Sequence, residues 1–113
     1  MSKKDEKIAL YQKTAADLKL GLDSELIAKV TNGLGPSIYN KDAETVSCSD
    51  ASELARVREN FLKKKLGLTE SDEKLDAAIK EVCEKMGSSN RNKYRALFYA
   101  LLAKKYGKES VYA

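Results

Sequence analysis

A cluster of hydroxyl, amide and guanidinium groups precedes the last long apolar stretch of this 113-residue chain. Its members are Ser89, Asn90, Arg91, Asn92 and Arg95. The free backbone amides at a helix start favour anions, and guanidinium groups match the geometry of phosphate and carboxylate. One interpretation is therefore a site for a phosphate or carboxylate of a partner.

The second interpretation of this cluster is an internal clasp. Carbonyls and carboxylates of the connection earlier in the chain, such as Asp42 or Glu44, would fold over this end of the helix, because buried charges are normally paired. The two asparagines would then bond the backbone of that connection. The sequence leaves both interpretations open.

Other residue types argue against catalysis. The chain has no histidine, which removes Ser-His and Cys-His nucleophilic pairs. Acidic residues at helical spacing, such as Asp72 and Asp76, are typical of a solvated helix face. Two separated cysteines without histidine provide no tetrahedral metal site, and no calcium-binding loop is present. We therefore predict a protein that is not an enzyme and uses no metal or cofactor.

The two cysteines, Cys48 and Cys83, lack the spacing of a redox or metal motif. Cys83 falls on an apolar helical stripe, so both are predicted to be reduced and unbridged in a reducing compartment. Whether Cys48 is reactive stays open. The longest uninterrupted apolar run, Ala96–Ala103, is too short to span a membrane. These features predict a cytoplasmic protein without membrane association.

Helices must position these residues, because five stretches repeat apolar residues at helical spacing and no stretch alternates with period two. Asp23 is expected to cap the second helix, and Asp50 with Glu53 the third. The fifth is predicted from Ser89 to Tyr106, with Ala96 and Ala100 on its solvated side. We predict one all-α domain, residues 1–113, of about five helices. The helices are expected to end at Gly21, Gly33, Gly67, Gly87 and Gly107.

The connecting segment between the second and third predicted helices, residues 33–49, shows no helical stripe. A connection this long in a small domain is unusual and tends to be functional. We predict that it is an ordered loop pinned to the core by Ile38 and Tyr39. It is either a packed connection or an interaction loop. The residues of the candidate interaction loop are Gly35, Pro36, Ile38, Tyr39 and Asn40.

Two similar tripeptides, Leu20-Gly21-Leu22 and Leu66-Gly67-Leu68, each open a predicted helix. Each helix is followed by a glycine and a polar segment containing asparagine and lysine. The pattern is consistent with a degenerate helix-pair repeat. Helices commonly end at a glycine without belonging to a repeat, so the sequence is consistent both with a repeat and with two unrelated helices.

The charge and the aromatic residues of the chain help to decide whether its partner is a nucleic acid or a protein. The net charge is +4, and residues 91–108 carry six basic and no acidic side chains. Basic residues mixed with aromatics suit nucleic-acid or phosphate-anion binding. Helical geometry, however, places most of these aromatics on the core face. We therefore favour a protein-interaction or scaffold module that binds another protein, with weak nucleic-acid or anion binding as the alternative.

Four stretches carry a resemblance to a known family: GLGPSIYNKDA (33–43), SCSD (47–50), LKKKLGL (62–68) and SNRNKYRALFYALL (89–102). Together they resemble a small bacterial family of unknown function, over nearly the whole chain. The resemblance implies a compact, all-helical protein with no assigned activity. It transfers no functional residues.

Overall fold

The computed structural model describes residues 3–87, 90 and 92–112, apart from the side chains of residues 41 and 42. It confirms the all-α fold, since the described residues form no strand and only one isolated β-bridge. The helices are α1 (Lys3–Asp17), α2 (Ser24–Leu34), α3 (Lys41–Glu44), α4 (Ala51–Arg56, continued by a π-helix over Val57–Lys65), α5 (Asp72–Lys85) and α6 (Arg95–Lys105). Short 3-10 helices cover Gly35–Tyr39 and Glu109–Tyr112.

Two helix starts are set by local sequence. The Asp23 carboxylate accepts a hydrogen bond from the amide of Glu25 at 2.9 Å. Asp50 accepts from the amides of Ser52 and Glu53 at 3.0 and 3.4 Å. The predicted aspartate caps are therefore confirmed. The carboxylate of Glu53 does not complete a reciprocal capping box, because it turns to two arginines instead.

Helix α6 lies at the centre of the core and packs against α1, α2, α3 and α5. Ala96 and Ala100 are buried, so their predicted place on a solvated side is wrong. A helix with neighbours on several sides buries most of its surface, and alanines let those neighbours approach closely. The buried residues of α6 are Ala96, Leu97, Phe98, Ala100, Leu101, Leu102 and Ala103.

The start of α6 also differs from the prediction. The helix begins at Arg95 and not at Ser89, because the residues before it pair with the connecting segment. The amide of Val46 donates to the carbonyl of Lys93 at 2.8 Å, and Thr45 and Tyr94 form the β-bridge. This pairing requires extended backbone, which is incompatible with a helix.

The connecting segment is more helical than predicted. Helix α2 extends to Leu34, so the connecting segment runs over residues 35–50 and contains a 3-10 helix and α3. These turns are too short to show a periodic stripe. Gly35 has φ of 63° and its amide bonds to Asn32, which ends α2. Ile38 is buried as predicted, whereas Tyr39 is 49% exposed and is not an anchor.

The enclosed position of α6 predicts the effect of enlarging its alanines. Ala100→Leu should lower the free energy of unfolding by about 1–3 kcal/mol, because the core has no space for the larger side chain. Chemical denaturation measures this change.

The matched control is Ala77→Leu, at an exposed position of α5. It should change stability by no more than about 0.5 kcal/mol. Equal effects of the two substitutions would contradict the burial of Ala100 in the core.

Candidate functional site

Arg95 ties the connecting segment to the start of α6. Its Nε donates to the carbonyl oxygen of Ala43 at 2.7 Å, and Nη2 donates to that of Thr45 at 3.4 Å. Nη2 also forms an ion pair with Oε1 of Glu53 on α4. The guanidinium is therefore an internal clasp, which was one of the two interpretations open from the sequence.

The acid in this clasp differs from the one expected. The side chains of Arg95 and Glu53 are only 14% and 12% exposed. Burial raises the pKa of the Glu53 carboxyl, but hydrogen bonds from Arg56 and Arg95 outweigh burial and hold the pKa below its usual range. Glu53 thus stays ionised and balances the guanidinium charge. Arg56 reaches it at 2.9 Å from the solvent side.

An aromatic pair extends the clasp into α4. Nη1 of Arg95 donates to the hydroxyl of Tyr99 at 3.0 Å, one turn along α6. The Tyr99 ring stacks on Phe61 with centroids 3.9 Å apart and planes 12° from parallel. The guanidinium therefore contacts an acid, two carbonyls and a hydroxyl, which leaves little capacity for an external ligand.

Glu44, one of the acids expected near the arginines, anchors the connecting segment to α1 instead. It accepts a hydrogen bond from the hydroxyl of Tyr11 at 2.6 Å and pairs with Lys7 at 2.7 Å. Burial and the hydrogen bond to Glu44 raise the pKa of Tyr11. The expected pairing of Glu44 with Arg95 is therefore wrong. The side chain of Asp42 lies outside the described residues.

The asparagines of the predicted cluster bond locally. Asn90 donates from its side-chain amide to the carbonyl of Met86 at 3.0 Å, and its side-chain oxygen accepts from the amide of Asn92 at 2.9 Å. They shape the turn between α5 and α6, and the expected bonds from their side chains to the connecting segment are not among their contacts. Ser89 and Arg91 lie outside the described residues.

The two cysteines form a disulfide, so the prediction of free thiols is wrong. Cys48 belongs to the connecting segment and Cys83 to α5, and their Cα atoms lie 6.1 Å apart. The segment folds back across α5, which brings together residues separated by 35 positions. Spacing alone cannot show such a contact. The even number of cysteines was the only signal in the sequence.

The structure therefore does not bring the described residues of the predicted anion site together. Arg95 meets the connecting segment, whereas Asn90 and Asn92 stay in their own turn. Glu53, Tyr99 and Tyr11 were missed as members of the site. Glu53 was assigned to a cap, and no local pattern shows that an aromatic residue also takes part in a distant hydrogen bond.

The described residues place no group of three or more cysteine or acidic side chains where a metal ion would be held. None of the helices in this part of the chain combines the length and apolarity that crossing a bilayer requires. The site is a structural junction among three parts of the chain. It consists of the connecting segment, α4 and α6, with a disulfide to α5.

Fold and site together define an all-α protein whose long connecting segment is fixed to the helices by an arginine and a disulfide. Residues 9–110 match the model of DUF2853, a family described as proteins of unknown function. The chain belongs to this family. A comparison with curated proteins finds no match.

The clasp predicts a large effect of removing Arg95. Arg95→Ala should lower the free energy of unfolding by about 2–4 kcal/mol, because Glu53 loses the more buried of its two arginine partners and two carbonyl groups lose their donor. Urea unfolding followed by circular dichroism measures the loss.

The control for this substitution is Arg58→Ala, whose salt bridges to Glu59 and Asp76 lie at the surface. Exposed ion pairs contribute little to stability, so the control should have a much smaller effect. Similar losses for both arginines would refute the clasp.

The disulfide predicts a redox-dependent stability. In the chain-entropy account, a cross-link over 35 residues contributes roughly 3–4 kcal/mol. Reduction should therefore lower the melting temperature of the wild type, whereas the Cys48→Ser/Cys83→Ala double variant should melt at the same temperature with or without reductant. Mass spectrometry after non-reducing alkylation should find no free thiol, and detection of two labelled cysteines in the native protein would contradict the bridge.

Proposed function

We propose that this protein is a protein-interaction module without catalytic activity, and that the connecting segment is its recognition surface. The partner is another protein, one that offers an apolar pocket to an aromatic side chain. Such a partner fits because an aromatic side chain, Tyr39, is exposed on the segment, whereas Glu44 of the segment is already paired with Lys7.

The observation that carries this proposal is the exposure of Tyr39 on a fixed segment. The ring is 49% exposed, whereas the neighbouring Ile38 is only 2% exposed and holds the backbone against the core. Glu44 and the disulfide at Cys48 fix the chain beyond it. A preordered segment loses little conformational entropy on binding, and tyrosine is frequent among the residues that dominate interface energy.

The nucleic-acid alternative has weaker support. Four of the five described cations within residues 91–108 already contact the protein: Arg95 and Lys105 pair with Glu53 and Glu81, and Lys93 and Lys104 bond carbonyl oxygens. Binding of a nucleic-acid backbone along this helix would need a row of cations that are free to face solvent. Most of the described cations of residues 91–108 instead contact other parts of the fold.

The cytoplasmic location expected from the sequence is part of this proposal. The bridge between Cys48 and Cys83 is an observation against this location, because disulfides are rare in reducing compartments. Fractionation of the source cells, with thiols alkylated at lysis, reports location and redox state in one measurement.

The proposed function can be tested with purified components. The protein is immobilised, proteins retained from the source-cell extract at high salt are identified, and one is purified for direct titration. Tyr39→Ala should weaken the affinity for this partner by about tenfold or more, because an anchoring side chain is lost.

The matched control is Leu18→Ala, which truncates another exposed apolar side chain, 36% exposed, at the end of α1. Its affinity should stay within about twofold of the wild type. Retention of nucleic acid that washes off as salt rises would favour the alternative. A purified partner that binds the wild type and Tyr39→Ala equally well would overturn the role of the segment.

A further inference from the structure

A cleft of about 780 Å³ lies between the connecting segment and α5. The disulfide forms part of its wall, since both Cys48 and Cys83 line it. This size falls within the range of clefts that hold small molecules. The polar residues lining it are Thr45, Ser47, Ser49, Lys80, Glu84, Asn90 and Lys93.

Lys93 places a buried positive charge at this cleft. The residue is only 7% exposed, and its ammonium donates to the carbonyl oxygen of Asn90 at 2.6 Å. Among the described residues no carboxylate lies within 4 Å of it, in contrast to Arg95 and its partner Glu53. Buried charges are normally balanced by an opposite charge. The ammonium therefore leaves room for an anion from outside the chain.

The other donors of the cleft suit an oxyanion. Lys80 is exposed on α5, and the described residues include no ion-pair partner for it. The hydroxyls of Ser47 and Ser49 lie 3.4 Å apart at the opposite wall. Ammonium groups bind phosphate as point charges, and serine hydroxyls can donate hydrogen bonds to its oxygens.

We propose that this cleft binds the phosphate group of a phosphorylated small molecule, with Lys93 at its inner end and Lys80 at its rim. Glu84 is the one acidic residue among those lining the cleft, and its negative charge weakens the binding of an anion. The proposal does not depend on the interaction module proposed above. It concerns the isolated chain and a different face of the connecting segment from Tyr39.

The probe is inorganic phosphate, compared with chloride at equal ionic strength, followed by a sugar phosphate and a phosphoserine peptide. Phosphate should raise the melting temperature of the wild type in a saturable manner. The sugar phosphate should bind more tightly than inorganic phosphate. The cleft is larger than a single phosphate group, so the sugar can make additional contacts with its walls. Tighter binding of the phosphopeptide than of the sugar phosphate would overturn the assignment to a small molecule.

Substitutions of charged residues that line the cleft test whether phosphate binds there. Lys80→Met and Lys93→Met should each weaken phosphate binding about tenfold or more, because a charge-assisted contact is lost. Glu84→Gln should strengthen it, since a like charge is removed. Lys74→Met, on the exposed surface of α5 outside the cleft, is the control and should bind as the wild type does.

Nuclear magnetic resonance gives a second readout that does not depend on the folding of Lys93→Met. Phosphate should shift the backbone amide signals of Ser47, Ser49 and Lys93 in the wild type. The site is supported if phosphate stabilises the wild type in a saturable manner, causes these shifts and binds Lys80→Met more weakly. It is overturned if phosphate stabilises the protein no more than chloride does, or if Lys80→Met and Lys74→Met lose the same amount of phosphate affinity. Neither result bears on the Tyr39 test, which measures a separate partner.

Discussion

The guanidinium of Arg95 is the interaction that the arrangement of the connecting segment depends on. It bonds groups that precede it by 42 to 52 residues, on the connecting segment and on α4, while it stands at the first turn of α6. Any movement of the segment away from α6 would leave the partly buried carbonyl groups of Ala43 and Thr45 without this donor. The positions of Tyr39 and of the cleft wall follow from this constraint.

Apolar packing alone would not select this arrangement. Hydrophobic contacts have no preferred direction, so Ile38 and Val46 could pack against the core with the segment shifted along its length. Hydrogen bonds to Ala43 and Thr45 depend on direction and fix its register. We interpret the buried ion pair as a contribution to specificity more than to net stability, because desolvation offsets much of its attraction.

The parts of the fold that the sequence predicted are those decided by neighbours along the chain. The caps at Asp23 and Asp50 and the apolar stripe of α5 are local patterns, and the structure contains them. The missed features depend on distant residues. The burial of Ala100 follows from the helices that surround α6, and the disulfide at Cys48 and the pairing of Arg95 with Glu53 follow from how distant parts of the chain pack together. No spacing in one helix contains that information.

The central position of α6 has a consequence for synthesis of the protein on the ribosome. The apolar faces of α1, α2 and α5 are covered in part by a helix that is translated after all of them. Until Phe98 and its neighbours leave the exit tunnel, the core that these helices share cannot be completed. The nascent chain therefore exposes apolar surface, of the kind that chaperones protect, until α6 has emerged.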